Sequence, residues 1–210
     1  MKPVVIIGFG GFGREIAWLA KECGRSVLGF LDDGIEPGRK GDYAVLGHSS
    51  TWVEYPDAEF VVAIGNPRVR RRVVERLNAE GMDKFTTLIH PSVRMDDSVV
   101  IGEGALICAG CIATVDIKIG RHVILNLNVT VGHDDVIEDF VTVAPMVALS
   151  GNVKLESGVE VGTGAAIRQG IAMSSGSMLG MGGVLTKDAD PNRVYIGSPA
   201  KPFKELPEFI

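Results

Sequence analysis

His133 and Asp134 are adjacent in the chain, and Gly151 and Asn152 follow eighteen residues later. An imidazole titrates near neutral pH and can act as a general base, while a neighbouring carboxylate can hold and polarise its ring. A glycine leaves its backbone N–H unshielded, so that it can donate to a developing oxyanion. Acyl transfer needs such a base and such a donor, provided that the fold brings them together.

The spacing of eighteen residues has a meaning because the second half of the chain is periodic. Every sixth residue from Ile89 to Leu185 is apolar. This period differs from the 3.6 of a helix and the 2.0 of a flat strand, and it suits a chain that turns a corner after each short strand. Three hexads then form one triangular coil of about 18 residues, and successive coils stack roughly 4.8 Å apart. The repeat predicts a parallel β-solenoid.

In that solenoid Gly151 lies one coil above His133, and Asn152 lies above Asp134. Gly151 is then expected to leave its amide open to a ligand lying along the wall. A second series, four residues after each repeated apolar residue, is mostly small or β-branched and must also point inward, and Asp135 is its one charged member. The alternative for His133 is a solvated turn residue without a role. The other histidines do not stack with His133, so we expect no metal site.

A different pattern precedes the repeat, because short apolar runs alternate there with helical patterns. We predict strands at Val4–Ile7, Val27–Leu31 and Phe60–Ile64, helices at Arg14–Glu22 and Pro67–Leu77, and a loop over residues 33–43. This order is typical of a small Rossmann-like α/β unit with a parallel sheet. The predicted domains are therefore 1–85 for this unit, 86–188 for the solenoid and 189–210 for a Pro-rich tail.

The first strand is followed by glycines at the G-x-G-x-x-G positions, Gly8, Gly10 and Gly13. Such a loop lets backbone N–H groups and a helix N-terminus approach phosphates. Asp32 and Asp33 end the second strand, where a carboxylate can reach a ribose hydroxyl. The unit holds little more than one mononucleotide half, which favours a single nucleotide over NAD. A tight glycine turn without a ligand is the alternative.

Asn66 ends the third strand at the same carboxyl edge of the sheet, where open α/β sheets bind ligands. It is a candidate contact to the nucleotide, although the N-cap of the following helix explains an asparagine there almost as well.

Composition limits the partners. The chain has 210 residues, a net charge of −5 and no basic face or tail, so we expect neither nucleic acid nor an anionic membrane as a partner. No apolar run approaches membrane-spanning length, and three cysteines are few and odd in number, as in a chain with reduced thiols. We expect a cytoplasmic protein that binds small molecules and copies of itself.

The motifs together resemble the left-handed β-helix acetyltransferases. The resemblance rests on the six-residue period, Gly-His-Asp at 132–134, Ser-Gly-Asn at 150–152 and Gly-Ser-Pro-Ala-Lys at 197–201. The Gly-rich unit, with Phe-Leu-Asp-Asp at 30–33 and Ala-Ile-Gly-Asn at 63–66, resembles more narrowly the family of sialic acid O-acetyltransferases and bacterial nucleotide-sugar N-acetyltransferases. The match covers essentially the whole chain.

The resemblance implies a left-handed β-helix in a homotrimer, with active sites between adjacent helices, acetyl-CoA along the groove and a nucleotide-linked amino sugar on the N-terminal domain. His133 is then the general base, Asp134 its polarising partner and the Gly151 N–H the donor to the thioester oxygen. Asn126 and Thr142 are further candidates for the acetyl-CoA groove.

The activity expected from this resemblance is transfer of an acetyl group from acetyl-CoA to the amine of the nucleotide-linked sugar, in the synthesis of a bacterial surface glycan. One alternative is O-acetylation of a free sugar such as sialic acid, in which case the Gly-rich unit binds no nucleotide. An alternative of another class is a non-catalytic trimeric scaffold or sugar-nucleotide sensor.

Overall fold

The N-terminal unit is a five-stranded sheet flanked by helices, and the computed structural model describes all 210 residues of the chain. Its elements are β1 (Val4–Ile7), α1 (Gly11–Glu22), β2 (Val27–Leu31), β3 (Gly38–Lys40), β4 (Tyr43–Gly47), a 3₁₀ helix (Ser49–Glu54), β5 (Glu59–Val62) and α2 (Pro67–Ala79). The strand order is β3-β4-β2-β1-β5, and only the β3–β4 pair is antiparallel. The predicted loop over 33–43 is therefore wrong in part, because it contains β3.

The second half is a parallel β-helix of two-residue strands. They are β6 (Leu88–Ile89), β7 (Arg94–Met95), β8 (Val100–Ile101), β9 (Leu106–Ile107), β10 (Ile112–Ala113), β11 (Lys118–Ile119), β12 (Ile124–Leu125), β13 (Thr130–Val131), β14 (Val136–Ile137), β15 (Thr142–Val143), β16 (Ala148–Leu149), β17 (Lys154–Leu155), β18 (Glu160–Val161), β19 (Ala166–Ile167), β20 (Ala172–Met173), β21 (Met178–Leu179) and β22 (Val184–Leu185).

Every third strand shares one face of a triangular prism. Face one contains β6, β9, β12, β15, β18 and β21, face two runs from β7 to β22, and face three runs from β8 to β20. Each strand pairs with the strand eighteen residues later in the chain, so that Val131 lies opposite Leu149. The two inward series fill the interior, where Leu125, Val131 and Val153 are at most 1% exposed.

The C-terminal tail is part of this structure. A hairpin of β23 (Arg193–Gly197) and β24 (Ala200–Glu205) extends face one, because β23 pairs with β21. Beyond it, Phe209 is buried and packs beside the guanidinium groups of Arg68 and Arg71 on α2. The tail therefore fastens the N-terminal unit to the prism.

Face one is also where the N-terminal unit packs directly. Leu19 and Ala20 of α1 share one buried cluster with Leu106 and Ile124 on the outer side of face one. This burial of apolar surface joins the two halves and fixes the sheet of the first unit relative to the prism. Neither helix of the chain is long and apolar enough to cross a membrane.

Candidate active site

His133 lies on the prism edge between faces two and three, which we call the His133 edge and define by turns 114–117, 132–135, 150–153 and 168–171. Its Nδ1 is 2.7 Å from Oδ2 of Asp134, and the two side chains are 52% and 59% exposed. Asp134 has a left-handed backbone with φ of 61°, a conformation that Asp and Asn tolerate better than most residues. The turn thus holds the carboxylate beside the ring.

This contact determines which ring nitrogen can accept a proton. The carboxylate of Asp134 accepts from Nδ1–H, which leaves the lone pair of a neutral imidazole on Nε2. The pair therefore has the arrangement of a general base with a fixed tautomer.

Gly151 packs on the His133 ring one coil above. A Cβ built on Gly151 would overlap Nε2 of the imidazole and lie 2.7 Å from its Cδ2. Gly151 is buried, and the ring covers the side of its Cα on which a Cβ would lie. Its N–H nevertheless donates to no other group of the chain, whereas the N–H of Asn152 donates to the His133 carbonyl at 2.7 Å. The structure brings the imidazole and an unpaired amide together.

Two candidates for the acetyl-CoA groove lie elsewhere in the chain. Thr142 is on face one, where its hydroxyl donates to the Gly65 carbonyl at 2.7 Å and its side chain is covered by the N-terminal unit. The N-terminal unit therefore occupies this hydroxyl, which the coil count could not indicate, and a role of Thr142 at the groove stays a prediction. Asn126 lies on the edge between faces one and two, across face two from His133.

The Gly-rich loop forms as its spacing indicates. Gly8 has φ of 103°, Gly10 is the N-cap of α1, and a Cβ on Gly13 would overlap the Gly8 carbonyl oxygen. The third glycine therefore permits close packing of the helix against the strand. Asp32 holds the loop, since its Oδ2 accepts from the Phe9 N–H at 2.7 Å.

A pocket of about 460 Å³ opens at this loop. The lining brings together the three strand ends of the sheet: Ile7, Gly8, Gly10, Gly11, Phe12, Leu31, Asp32, Asp33, Gly34, Ala63, Ile64, Gly65, Val69 and Val73. Four of the six predicted substrate residues, Gly8, Gly10, Asp32 and Asp33, line the pocket. Gly13 lies directly behind Gly8, outside the lining. Asn66 is not in the lining either, and its Oδ1 accepts from the Val69 N–H at 3.1 Å and caps α2.

Asp33 is held by groups on the far side of the pocket wall. Its carboxylate accepts from the Ser49 N–H at 2.8 Å and from Arg76 at 3.0 Å. Burial acts to raise the pKa of Asp33, but hydrogen bonds from Ser49 and the charges of His48 and Arg76 outweigh it and lower the pKa. Asp33 therefore keeps its negative charge at the pocket.

Arg70, which the sequence did not indicate, joins this pocket to the prism. Its guanidinium is buried and donates to the carbonyls of Ile64 and Gly65 in the pocket wall, at 2.7 and 3.0 Å. It also donates to the carbonyls of His122 and Phe140 in the prism, at 2.9 and 2.7 Å. Burial lowers the pKa of Arg70 to about 9. The contacts span up to 71 positions, so no local pattern could have revealed them.

Comparisons with known proteins agree with this architecture. Residues 3–77 match the PglD N-terminal domain. The chain is 32% identical to GDP-perosamine N-acetyltransferase of Escherichia coli O157:H7 over 156 residues, or 70% of each protein. The chain belongs to the bacterial nucleotide-sugar N-acetyltransferases with hexapeptide repeats. The sequence-based assignment to this family and fold is confirmed.

Other members of the family extend the likeness. UDP-N-acetylbacillosamine N-acetyltransferase of Bacillus subtilis is 40% identical over 114 residues, and the alignment spans about half of either protein, 52%. PerB from Caulobacter crescentus, solved with CoA and GDP-perosamine, has a TM-score of 0.89 and 29% identity over 97% of this chain and 98% of that one. The acetyltransferase domain of PglB from Neisseria gonorrhoeae, solved with acetyl coenzyme A, has a TM-score of 0.88 and 31% identity over 96% and 99%. The prism is left-handed, as in these structures.

Proposed function

We propose that this chain transfers an acetyl group from acetyl-CoA to the amine of a nucleotide-linked amino sugar. The observation that carries the proposal is the His133–Asp134 pair packed on Gly151, on a prism joined rigidly by Arg70 to a pocket with a Gly-rich loop. Relatives named as N-acetyltransferases of nucleotide sugars support this activity over O-acetylation of a free sugar and over a non-catalytic scaffold.

The chemistry follows from the free Nε2 of His133. The sugar amine attacks the thioester carbonyl carbon, and Nε2 accepts the proton that nitrogen loses. The carbon–sulfur bond then breaks, and the thiolate of CoA takes a proton from the imidazolium. The Gly151 N–H stabilises the oxyanion between these steps, and Asp134 stabilises the imidazolium. No covalent enzyme intermediate is needed.

We place acetyl-CoA along the His133 edge. Above Gly151 the same edge presents exposed cations, Arg168 two coils above His133 and Lys187 three coils above it. Coils stack roughly 4.8 Å apart, so these cations lie on the order of 10 to 15 Å from the base, within reach of the phosphates when the thioester lies at His133.

We infer that the groove closes in a homotrimer. The outer side of face two is free of charge above Arg94, with Ile112 41% exposed, and Met146 on the edge between faces one and two is 62% exposed. A ring of three copies makes heterologous contacts, so that this edge of one copy meets the His133 edge of the next. Asn126 then reaches the active site from the neighbouring copy. Three free cysteines fit a reducing cytoplasm.

The test has two parts. Calorimetric titration with UDP-, GDP- and dTDP-linked amino sugars is expected to show binding of one of them, and acetyl-CoA is then expected to release CoA and yield the N-acetyl sugar. His133→Asn should lower kcat roughly 10²- to 10⁴-fold with little change in CoA binding, because it removes the base and keeps a polar side chain of similar size. Turnover close to that of the wild type would refute the role of His133.

A further inference from the structure

Asp135 is a carboxylic acid inside the prism. It occupies an inward position of the His133 edge, where the corresponding residues of the other coils are the apolar Val99, Ile117, Val153, Ile171 and Ala189. Its side chain is 0% exposed, and its Oδ2 has no hydrogen-bond partner. An apolar residue there would avoid the cost of burying this group, so the carboxyl needs an explanation other than core packing.

The other oxygen of Asp135 makes a specific bond to the next coil. Its Oδ1 accepts from the Val153 N–H at 2.7 Å. In turn 96–99 of the same edge, the corresponding N–H of Val99 instead donates to the carbonyl three residues earlier and closes its own turn. The later turns of this edge lack that closing bond, and at turn 150–153 the carboxyl group of Asp135 takes its place.

The replacement fixes the turn that carries Gly151 to the turn that carries His133. Two bonds join turns 132–135 and 150–153 here: the Asn152 N–H to the His133 carbonyl, and the Val153 N–H to Asp135. Val153 is 1% exposed, so without Asp135 its buried N–H would lose its acceptor, and the turn would lose one of the two bonds that hold it to the turn below. The turn is then freer to shift, and a shift moves Gly151 relative to the imidazole.

We propose that Asp135 is a positioning residue of the acetyl transfer, which sets the placement of the Gly151 amide against His133 through its bond to the Val153 N–H. This rests on the proposed function. The hydrogen bond needs an acceptor oxygen and not a charge. Burial raises the pKa of Asp135 to about 7 against the opposing effect of the Val153 N–H, so the side chain is partly neutral in the working range.

Two variants separate positioning from core packing. Asp135→Val restores the apolar residue of the repeat and removes the acceptor, and Asp135→Asn keeps the acceptor and cannot ionise. We expect Asp135→Val to lower kcat roughly tenfold, with both KM values within about twofold and a melting temperature at or above that of the wild type. Asp135→Asn is expected to keep kcat within about twofold. Ile171→Val, two coils above on the same edge, is the packing control and should leave kcat unchanged.

Full turnover by Asp135→Val would overturn the proposal, and so would an equal loss in both Asp135 variants. Hydrogen exchange of the segment 149–155, followed by mass spectrometry in the free protein, tests the geometry without substrate. Faster exchange in Asp135→Val than in Asp135→Asn is expected, and equal exchange would overturn the proposal. A wild type that acetylates no nucleotide sugar refutes the proposed function instead, and the exchange result then decides the role of Asp135 alone.

Discussion

Gly151→Ala adds a single methyl group at the proposed centre of the reaction. The backbone of Gly151 is outside the left-handed region, so alanine fits its conformation. The new Cβ would lie 2.7 Å from Cδ2 of His133, against the 3.4 to 4 Å of an ordinary contact. The ring must therefore move by about 1 Å, and it can do so because it is 52% exposed. The movement carries Nε2 away from the substrate amine and strains the bond to Asp134.

A displacement of about 1 Å in a catalytic group can cost about 10²-fold in rate, or roughly 2.7 kcal/mol in activation free energy. We expect kcat of Gly151→Ala to fall by that factor in a thiol-release assay, while the free energy of unfolding changes by less than about 1 kcal/mol. Gly180→Ala is the matched control, because its Cβ would meet the Cγ2 of the exposed Ile196 at 2.9 Å on another edge. A Gly151→Ala enzyme with kcat within twofold of the wild type would contradict the stacked geometry.

Three further predictions concern single side chains. Asp134→Asn keeps the left-handed turn but loses the charge on the imidazole, so kcat in the same assay should fall roughly tenfold at constant KM; an unchanged kcat would exclude a polarising role. Arg70→Met removes a donor from five carbonyls, of which those of Gly65 and Val141 keep a second donor, so chemical denaturation should show a loss of about 3 to 5 kcal/mol in unfolding free energy; a loss below about 1 kcal/mol would mean that Arg70 does little to hold the two halves together. Between pH 3.8 and about 7 the folded chain keeps a proton on Asp135 that the unfolded chain releases, so the unfolding free energy should fall by up to about 4 kcal/mol as pH rises through this window. Asp135→Asn should remove this pH dependence, and parallel curves of unfolding free energy against pH for the two proteins would refute the prediction.

The regular parts of the fold could be predicted because their signals are local or periodic. The six-residue repeat gave every strand of the prism, and the start of β2 at Val27 was correct. The start of α1 was predicted too late, at Arg14 instead of Gly11, because glycines have low helix propensity and look like loop. The strand β3 is short, exposed and charged, and only its pairing with β4 makes it a strand.

The candidate site likewise contains residues that the repeat places and contacts that it does not predict. The stacking of His133 and Gly151 follows from the eighteen-residue coil, so the period places the two residues together. The contact of Thr142 with the N-terminal unit could not be predicted, because the period makes a residue point outward without saying what covers that face. The contacts of Arg70 and the bond between Asp135 and Val153 depend on tertiary packing, which leaves no sequence signal except an unexpected charge in an apolar series.

Arg70 donates to the carbonyls of His122 and Phe140. These two residues begin and end one winding of the chain, and His133 belongs to that winding. Arg70 therefore fixes the height of the sugar pocket along the prism to the winding that carries the base. Whole windings could be gained or lost towards the C-terminal end, which would lengthen or shorten the groove for acetyl-CoA. The placement of the sugar pocket relative to the winding of His133 would stay the same. The length of the acetyl-CoA groove can therefore change in evolution independently of the size of the sugar substrate.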